Sequence, residues 1–282
     1  MSPAQTRLIL NGNEIAVYEY AGAEPAILFA HATGFHARCW DTVIARLPGR
    51  RSIALDFHGH GRSAKPDPPY RWRAFGEELA ALVRRLNLEN ALGVGHSMGG
   101  HALTLAAALC PAAFASVLLL DPVILPEEAY GSDAGNYEYV ARRRNHWKSP
   151  QEMFQRFRER APFQYWDVEA LRDYCEHGLA PAADGNGFTL ACPPAIEAAI
   201  YPNSAAPESN IYAEIARVEA PTTVVRAGRP APPDSFERSI TAPDLASRFR
   251  RGRDVVLIER SHFIPMEAPA LVAGMIRDYL PK

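Results

Sequence analysis

Cysteine is scarce: four among 282 residues, Cys39, Cys110, Cys175 and Cys192, with no Cys-x-x-Cys pair. That scatter argues against a disulfide framework or a cysteine-built zinc site and leaves the thiols as packing residues. An excess of one charge is also missing, since 30 Lys and Arg face 32 Asp and Glu for a formal net charge of -2. Nothing is left over to grip a nucleic-acid backbone or an anionic membrane. Apolar runs such as residues 102–109 and 116–120 fall far short of the ~20 residues that cross a bilayer. Residues 1–16 hold no basic stretch followed by an apolar one, so no signal peptide is expected and the cytoplasm is the expected compartment. No internal repeat or low-complexity tract is visible, and the proline-rich residues 229–234 read as a loop. What remains is an ordinary globular composition, 48% hydrophobic, with enough chain for a large core in one or two domains. A small-molecule partner is expected, with the chain a monomer or homodimer.

Short runs of Val, Ile and Leu alternate with longer helical patterns, which predicts a mostly parallel sheet covered by helices on both faces. Residues 8–10 and 15–20 bracket Asn11-Gly12-Asn13 and read as an antiparallel hairpin. Residues 26–30, 51–56, 91–95, 116–120, 222–227 and 254–259 read as six further strands, eight in all. Helices are expected over residues 39–47, 73–86, 98–109 and 268–280.

This alternation stops between residues 126 and 212. Helical patterns at 137–147, 150–160, 168–177 and 194–200 fill that stretch, and no strand is expected there. It reads as a helical lid over the carboxyl ends of the sheet, the edge where open parallel sheets bind ligands. The expected organisation is a core from residues 1–125, a lid from 126–212 and the rest of the core from 213–282.

Gly95-His96-Ser97-Met98-Gly99 fits Gly-x-Ser-x-Gly and lies between a predicted strand and a predicted helix. A serine on such a sharp turn needs strained backbone angles, and side chains two residues to either side would collide. The helix that follows favours negative charge developing at its N-terminus. A serine nucleophile needs a base, and the base needs an orienting acid. His262 lies after the last predicted strand and is the only histidine beyond His177, which makes it the candidate base. Two acids stay open. Asp121 ends the strand next to the one carrying the nucleophile, within side-chain reach given a spacing of ~4.8 Å between strands. Asp234 lies in the loop after residues 222–227, where Gly228-Arg229-Pro230-Ala231-Pro232-Pro233 supplies no earlier carboxylate. Asp121 is preferred.

An oxyanion would need two donors: the Met98 amide and one from His31-Ala32-Thr33-Gly34-Phe35-His36, with Thr33 preferred. His31, His58, His60 and His96 read as bracing residues. His58-Gly59-His60 lacks a carboxylate or cysteine at ligand spacing, so no metal is expected. Phe35, Trp147, Phe163, Trp166 and Phe263 are candidate pocket walls. Arg142-Arg143-Arg144 reads as a solvated helix face, with contact to an anionic substrate as the alternative.

These motifs, together with Asp56-Phe57-His58-Gly59-His60-Gly61-Arg62-Ser63 and Ser261-His262, resemble the α/β-hydrolase fold superfamily over almost the whole chain outside the lid. The placement of Asp121-Pro122 resembles the subgroup that includes haloalkane dehalogenases. Dehalogenases and epoxide hydrolases of this fold use an aspartate nucleophile, so Ser97 argues for acyl transfer instead. The resemblance implies hydrolysis of a small to medium, fairly apolar ester or lactone, with no cofactor. Carbon–carbon bond hydrolysis of a diketone would use the same residues, and a non-catalytic small-molecule receptor could keep them.

Overall fold

The computed structural model describes residues 2–132, 135–232 and 235–280. Eight strands form one sheet: β1 (Ala4–Leu10), β2 (Asn13–Tyr20), β3 (Ala23–Ala30), β4 (Arg50–Leu55), β5 (Ala91–His96), β6 (Phe114–Leu120), β10 (Thr222–Ala227) and β11 (Gly252–Leu257). Three shorter strands, β7 (His146–Trp147), β8 (Leu179–Pro181) and β9 (Phe188–Leu190), form a second sheet.

The large sheet runs in the order β1-β2-β4-β3-β5-β6-β10-β11, and only the pairings of β2 are antiparallel. This agrees with the expected mostly parallel, eight-stranded sheet. From β3 the chain moves to β4 on one side and later to β5 on the other, so strand order reverses between β3 and β5. Crevices in open parallel sheets form at the carboxyl ends of such a pair.

Burial on both faces explains why the central strands β3, β5 and β6 read as nearly unbroken apolar runs. Along β3, Leu28 and Ala30 point into one buried cluster while Ile27 and Phe29 point into the other. The Trp72–Arg85 helix buries Phe75, Leu79, Leu82 and Val83 on its sheet side. Each such side chain contributes about 1.5–3 kcal/mol of burial. The Met98–Leu109 helix is buried on all sides along its first ten residues, which fixes it tightly behind Ser97.

The described residues between β6 and β10 add no strand to the large sheet. They form the helices Pro150–Phe157, Val168–His177 and Pro194–Ile200 together with the small sheet. Ser149 accepts the Glu152 amide and Asp167 accepts the Glu169 and Ala170 amides, so polar side chains start two of these helices. The expectation of a strand-free stretch is therefore corrected. The expected helix over 137–147 is cut to Glu138–Ala141, and β7 follows it. Asn145 takes the Leu190 amide at 3.0 Å and Arg144 donates to the His146 carbonyl, so the chain turns and pairs with β9. Phe35, Trp147, Met153, Phe154, Trp166, Tyr174 and Phe263 share a third apolar cluster that joins this segment to the sheet edge. Among the described residues no helix is long and apolar enough to cross a membrane.

Candidate active site

Ser97 stands between β5 and the Met98–Leu109 helix with φ 56° and ψ −121°, a conformation that costs about 1–3 kcal/mol outside glycine. The neighbouring glycines make the turn possible. A Cβ on Gly95 would come within 2.6 Å of the Gly99 carbonyl oxygen, and one on Gly99 would overlap the Ala30 carbonyl. The strand, turn and helix therefore close on each other only with hydrogen at both positions.

His262 reaches Ser97 from the far end of the chain. Its Nε2 lies 2.9 Å from Ser97 Oγ, and its Nδ1 lies 2.6 Å from Asp121 Oδ2. Asp121 is fully buried, with φ 45°, at the end of β6. Its other oxygen accepts the Ala227 amide at 2.8 Å and the Ser239 hydroxyl at 2.6 Å, with Thr241 Oγ1 at 3.4 Å. Asp121 is thus the carboxylate brought to His262. The alternative, Asp234, lies outside the described residues.

The loop carrying His262 is tied down from several directions. The His262 amide donates to the Glu237 carbonyl at 2.9 Å, and His96 Nε2 donates to the His262 carbonyl at 2.8 Å. Ser261 donates through both its hydroxyl and its amide to Glu267, whose buried charge meets Arg229 at 3.1 Å. Arg229 also pairs with Glu237 at 2.5 Å. Sequence reading missed Ser239, Thr241, Arg229 and Glu267 because each is a common residue type in a loop or short helix, with no motif around it.

Thr33 follows β3 and lines the same cavity as Ser97, while Met98 is fully buried behind it. Thr33 Oγ1 donates to the Met98 sulfur at 3.3 Å. Met98 opens a helix, so its amide is one of the donors a helix cannot satisfy internally. Among the bracing histidines, burial favours the neutral ring of His31, His60 and His96. His31 accepts the Phe57 amide and donates to the Ala32 carbonyl, and burial lowers both His31 and His96 to about 3. His58 contacts Glu78 at 3.0 Å and His60 donates to the His58 carbonyl.

A cavity of about 650 Å³ opens beside Ser97 and His262. Phe35, Phe163, Trp166 and Phe263 line it, as does Tyr174. Trp147 does not, which corrects the expected wall. Its ring is buried in the inserted segment, with Phe157 edge-on at 5.3 Å and the Arg144 guanidinium 4.1 Å from its centroid. The arginine run is corrected in the same region. Arg142 is exposed and pairs with Glu138, and Arg144 pairs with Glu152, but Arg143 turns inward onto Glu197. Arg143 and Glu197 both line the cavity, and Tyr201 donates to Glu197 at 3.0 Å. The signal for Glu197 was present: it is the single charged residue in the apolar helix Pro194–Ile200. Among the described residues, Asp41, Asp173 and His177 could converge on a cation, but Arg38 already occupies Asp41 at 2.5 Å.

Comparison with known proteins bears on the family and the fold. Over 272 residues the chain is 28% identical to Esterase Rv0045c of Mycobacterium tuberculosis, covering 94% of this chain and 86% of that protein. The crystal structure of E-2-(acetamidomethylene)succinate hydrolase superposes with a TM-score of 0.79 at 21% identity, covering 98% of both chains. The enol-lactonase from Burkholderia xenovorans LB400 gives 0.67 at 19% identity, covering 98% of this chain and 100% of that one. A family model described as the alpha/beta hydrolase family matches residues 27–275, and the chain belongs to that family.

Proposed function

We propose that this protein is a serine hydrolase that cleaves carboxylic esters or lactones of small to medium size through an acyl-enzyme on Ser97. The observation that carries the reading is the hydrogen-bonded series Ser97 Oγ, His262 and Asp121 beside one cavity. Residues 126–212 act in this reading as a cap that walls the cavity, and the two flanking stretches act as one core.

With Nδ1–H directed to Asp121, the His262 Nε2 lone pair faces the serine hydroxyl. His262 takes the Ser97 proton as Oγ attacks the carbonyl carbon. The negative charge on the carbonyl oxygen falls to the Thr33 and Met98 amides, each such donor being worth about 2.7–4 kcal/mol in the transition state. His262 then protonates the leaving alcohol as the carbon–oxygen bond breaks. Water repeats the sequence on the acyl-enzyme, losing a proton to His262 and releasing acid and free serine. Asp121 holds the imidazole tautomer and stabilises its protonated form.

Hydrolysis of p-nitrophenyl acetate, butyrate and valerate by the wild type and by Ser97→Ala tests the reading. Turnover that Ser97→Ala abolishes is expected. Equal activity in both proteins would remove Ser97 from the mechanism. Saturable ligand binding without product would favour a receptor over an enzyme.

A further inference from the structure

The cavity beside Ser97 is lined by charge as well as by aromatic rings. Arg143 and Glu197 enter it from the segment between β6 and β10, and Arg238 enters from the loop after β10. Glu197 is committed to its neighbours. Both carboxylate oxygens face the Arg143 guanidinium, and Tyr201 donates to one of them at 3.0 Å. The same carboxylate lies against Gly34 in the loop after β3, where a Cβ would come within 2.6 Å of Oε1. The ion pair therefore sits next to the loop that also carries Thr33.

Arg143 still has capacity. A guanidinium offers five N–H donors, and Glu197 engages only the two terminal nitrogens. The buried Arg143 Nε has no partner, and 34% of the side chain stays open. Arg238 is exposed, and among the described residues its side chain makes no hydrogen bond or ion pair. Among the described residues the wall thus holds two cations, Arg143 and Arg238, against one anion, Glu197, and it is rich in donors where those acceptors are already used. A neutral substrate would leave those donors unpaired, whereas a planar carboxylate matches a guanidinium edge.

We infer that Arg143, oriented by Glu197 and Tyr201, and Arg238 form a carboxylate subsite. The substrate would then be acidic, with a free carboxylate a few bonds from the carbonyl that Ser97 attacks. This inference rests on the Ser97 reading for the scissile bond, but the anion subsite can be measured without it.

The test compares the mono-p-nitrophenyl ester of glutaric acid with p-nitrophenyl valerate, which has a methyl group in place of the carboxylate. In the wild type, kcat/KM should favour the acidic ester by about tenfold or more. The double variant Arg143→Gln/Glu197→Gln removes both charges and leaves neither buried alone; it should lose most of that preference. Arg238→Gln should lose about threefold, and Arg143→Lys, which keeps the charge without the planar fork, should fall between. Calorimetry with glutarate gives a second readout, with binding expected in the wild type and at least tenfold weaker in the double variant. Ser97-dependent cleavage of both esters with no preference for the acidic one would overturn the subsite and leave the serine reading standing. Absence of both cleavage and glutarate binding would overturn it as well. Glutarate binding that depends on Arg143, with neither ester cleaved, would support the subsite while the Ser97 reading failed. If the double variant does not fold, Arg238→Gln and Arg143→Lys carry the same comparison, and an unchanged preference in both would overturn the subsite.

Discussion

The groups around Ser97 and the groups across the cavity from it are held by different means. On the sheet side, Asp121 is fully buried and takes its donors from the β10 backbone, Ser239 and His262. His262 is tied through its own amide and carbonyl, and Ser97 is set by a strained turn between a strand and a buried helix. Across the cavity, Arg143, Glu197 and Tyr201 hold one another. The walls there are rings in contact, as in Phe163 against Trp166 with centroids 4.8 Å apart. Directional bonds to backbone fix atoms to a fraction of an ångström, while ring packing fixes shape and volume. Changes on the sheet side should therefore alter rate, and changes across the cavity should alter which substrate is accepted.

The largest break is expected at the sheet edge. Ser97→Ala should lower kcat for a p-nitrophenyl ester by about 10⁴–10⁶ with the fold intact, as read by circular dichroism. Asp121→Asn should cost about 10⁴ in kcat, because the amide favours the wrong imidazole tautomer. Ser239→Ala, which removes one of several donors to Asp121, should cost about tenfold. A small effect at Asp121 combined with a large one at Asp234→Asn would reassign the acid.

The other side sharpens the contrast. Trp166→Leu should raise KM severalfold for a bulky acyl ester while kcat for the acetate ester changes about twofold or less. Trp147→Phe should instead lower the unfolding midpoint and leave KM unchanged, because that ring packs inside the segment and does not meet the cavity. Equal shifts in KM from both changes would contradict the assignment of their surroundings.

A smaller effect concerns acid stability. Burial lowers His31 and His96 to about 3, and His36 and His101 to about 4. A histidine whose folded value lies below its unfolded value near 6.5 takes up its proton on unfolding. Its contribution is complete above pH 6.5 and is lost as the pH falls toward the folded value. At pH 5 each of these rings costs about 2 kcal/mol. Urea unfolding should show stability falling steeply from pH 7 to pH 5, and His101→Gln should reduce the slope by about one proton. A slope unchanged in that variant would contradict the neutral, buried state of His101.

The same contrast governs what could be read from the amino-acid order. The central strands of the large sheet, β3, β5 and β6, were legible because burial on both faces writes nearly continuous apolar runs. β11 begins and ends two residues earlier than expected because it is an edge strand, so the apolar Ile258 past its end stays 73% exposed. Ser97 was legible because two close backbone approaches demand glycine at fixed spacing. His262 was legible because no other histidine follows the last strand. Across the cavity the signals weaken. Aromatic content marks a packed layer but not its inward side, so Trp147 and Trp166 looked alike. Three successive arginines follow the short helix Glu138–Ala141, past the point where a helical period would say which of them faces inward. Which one depended on Glu197, more than fifty residues away in the chain.

Labelling the intact protein with a fluorophosphonate, followed by mass-spectrometric mapping of the adduct, addresses the central claim most directly. A single adduct on Ser97 is predicted, formed at least a hundredfold more slowly in His262→Gln because the base is gone. An unlabelled Ser97, or an adduct that forms equally well without His262, would contradict it.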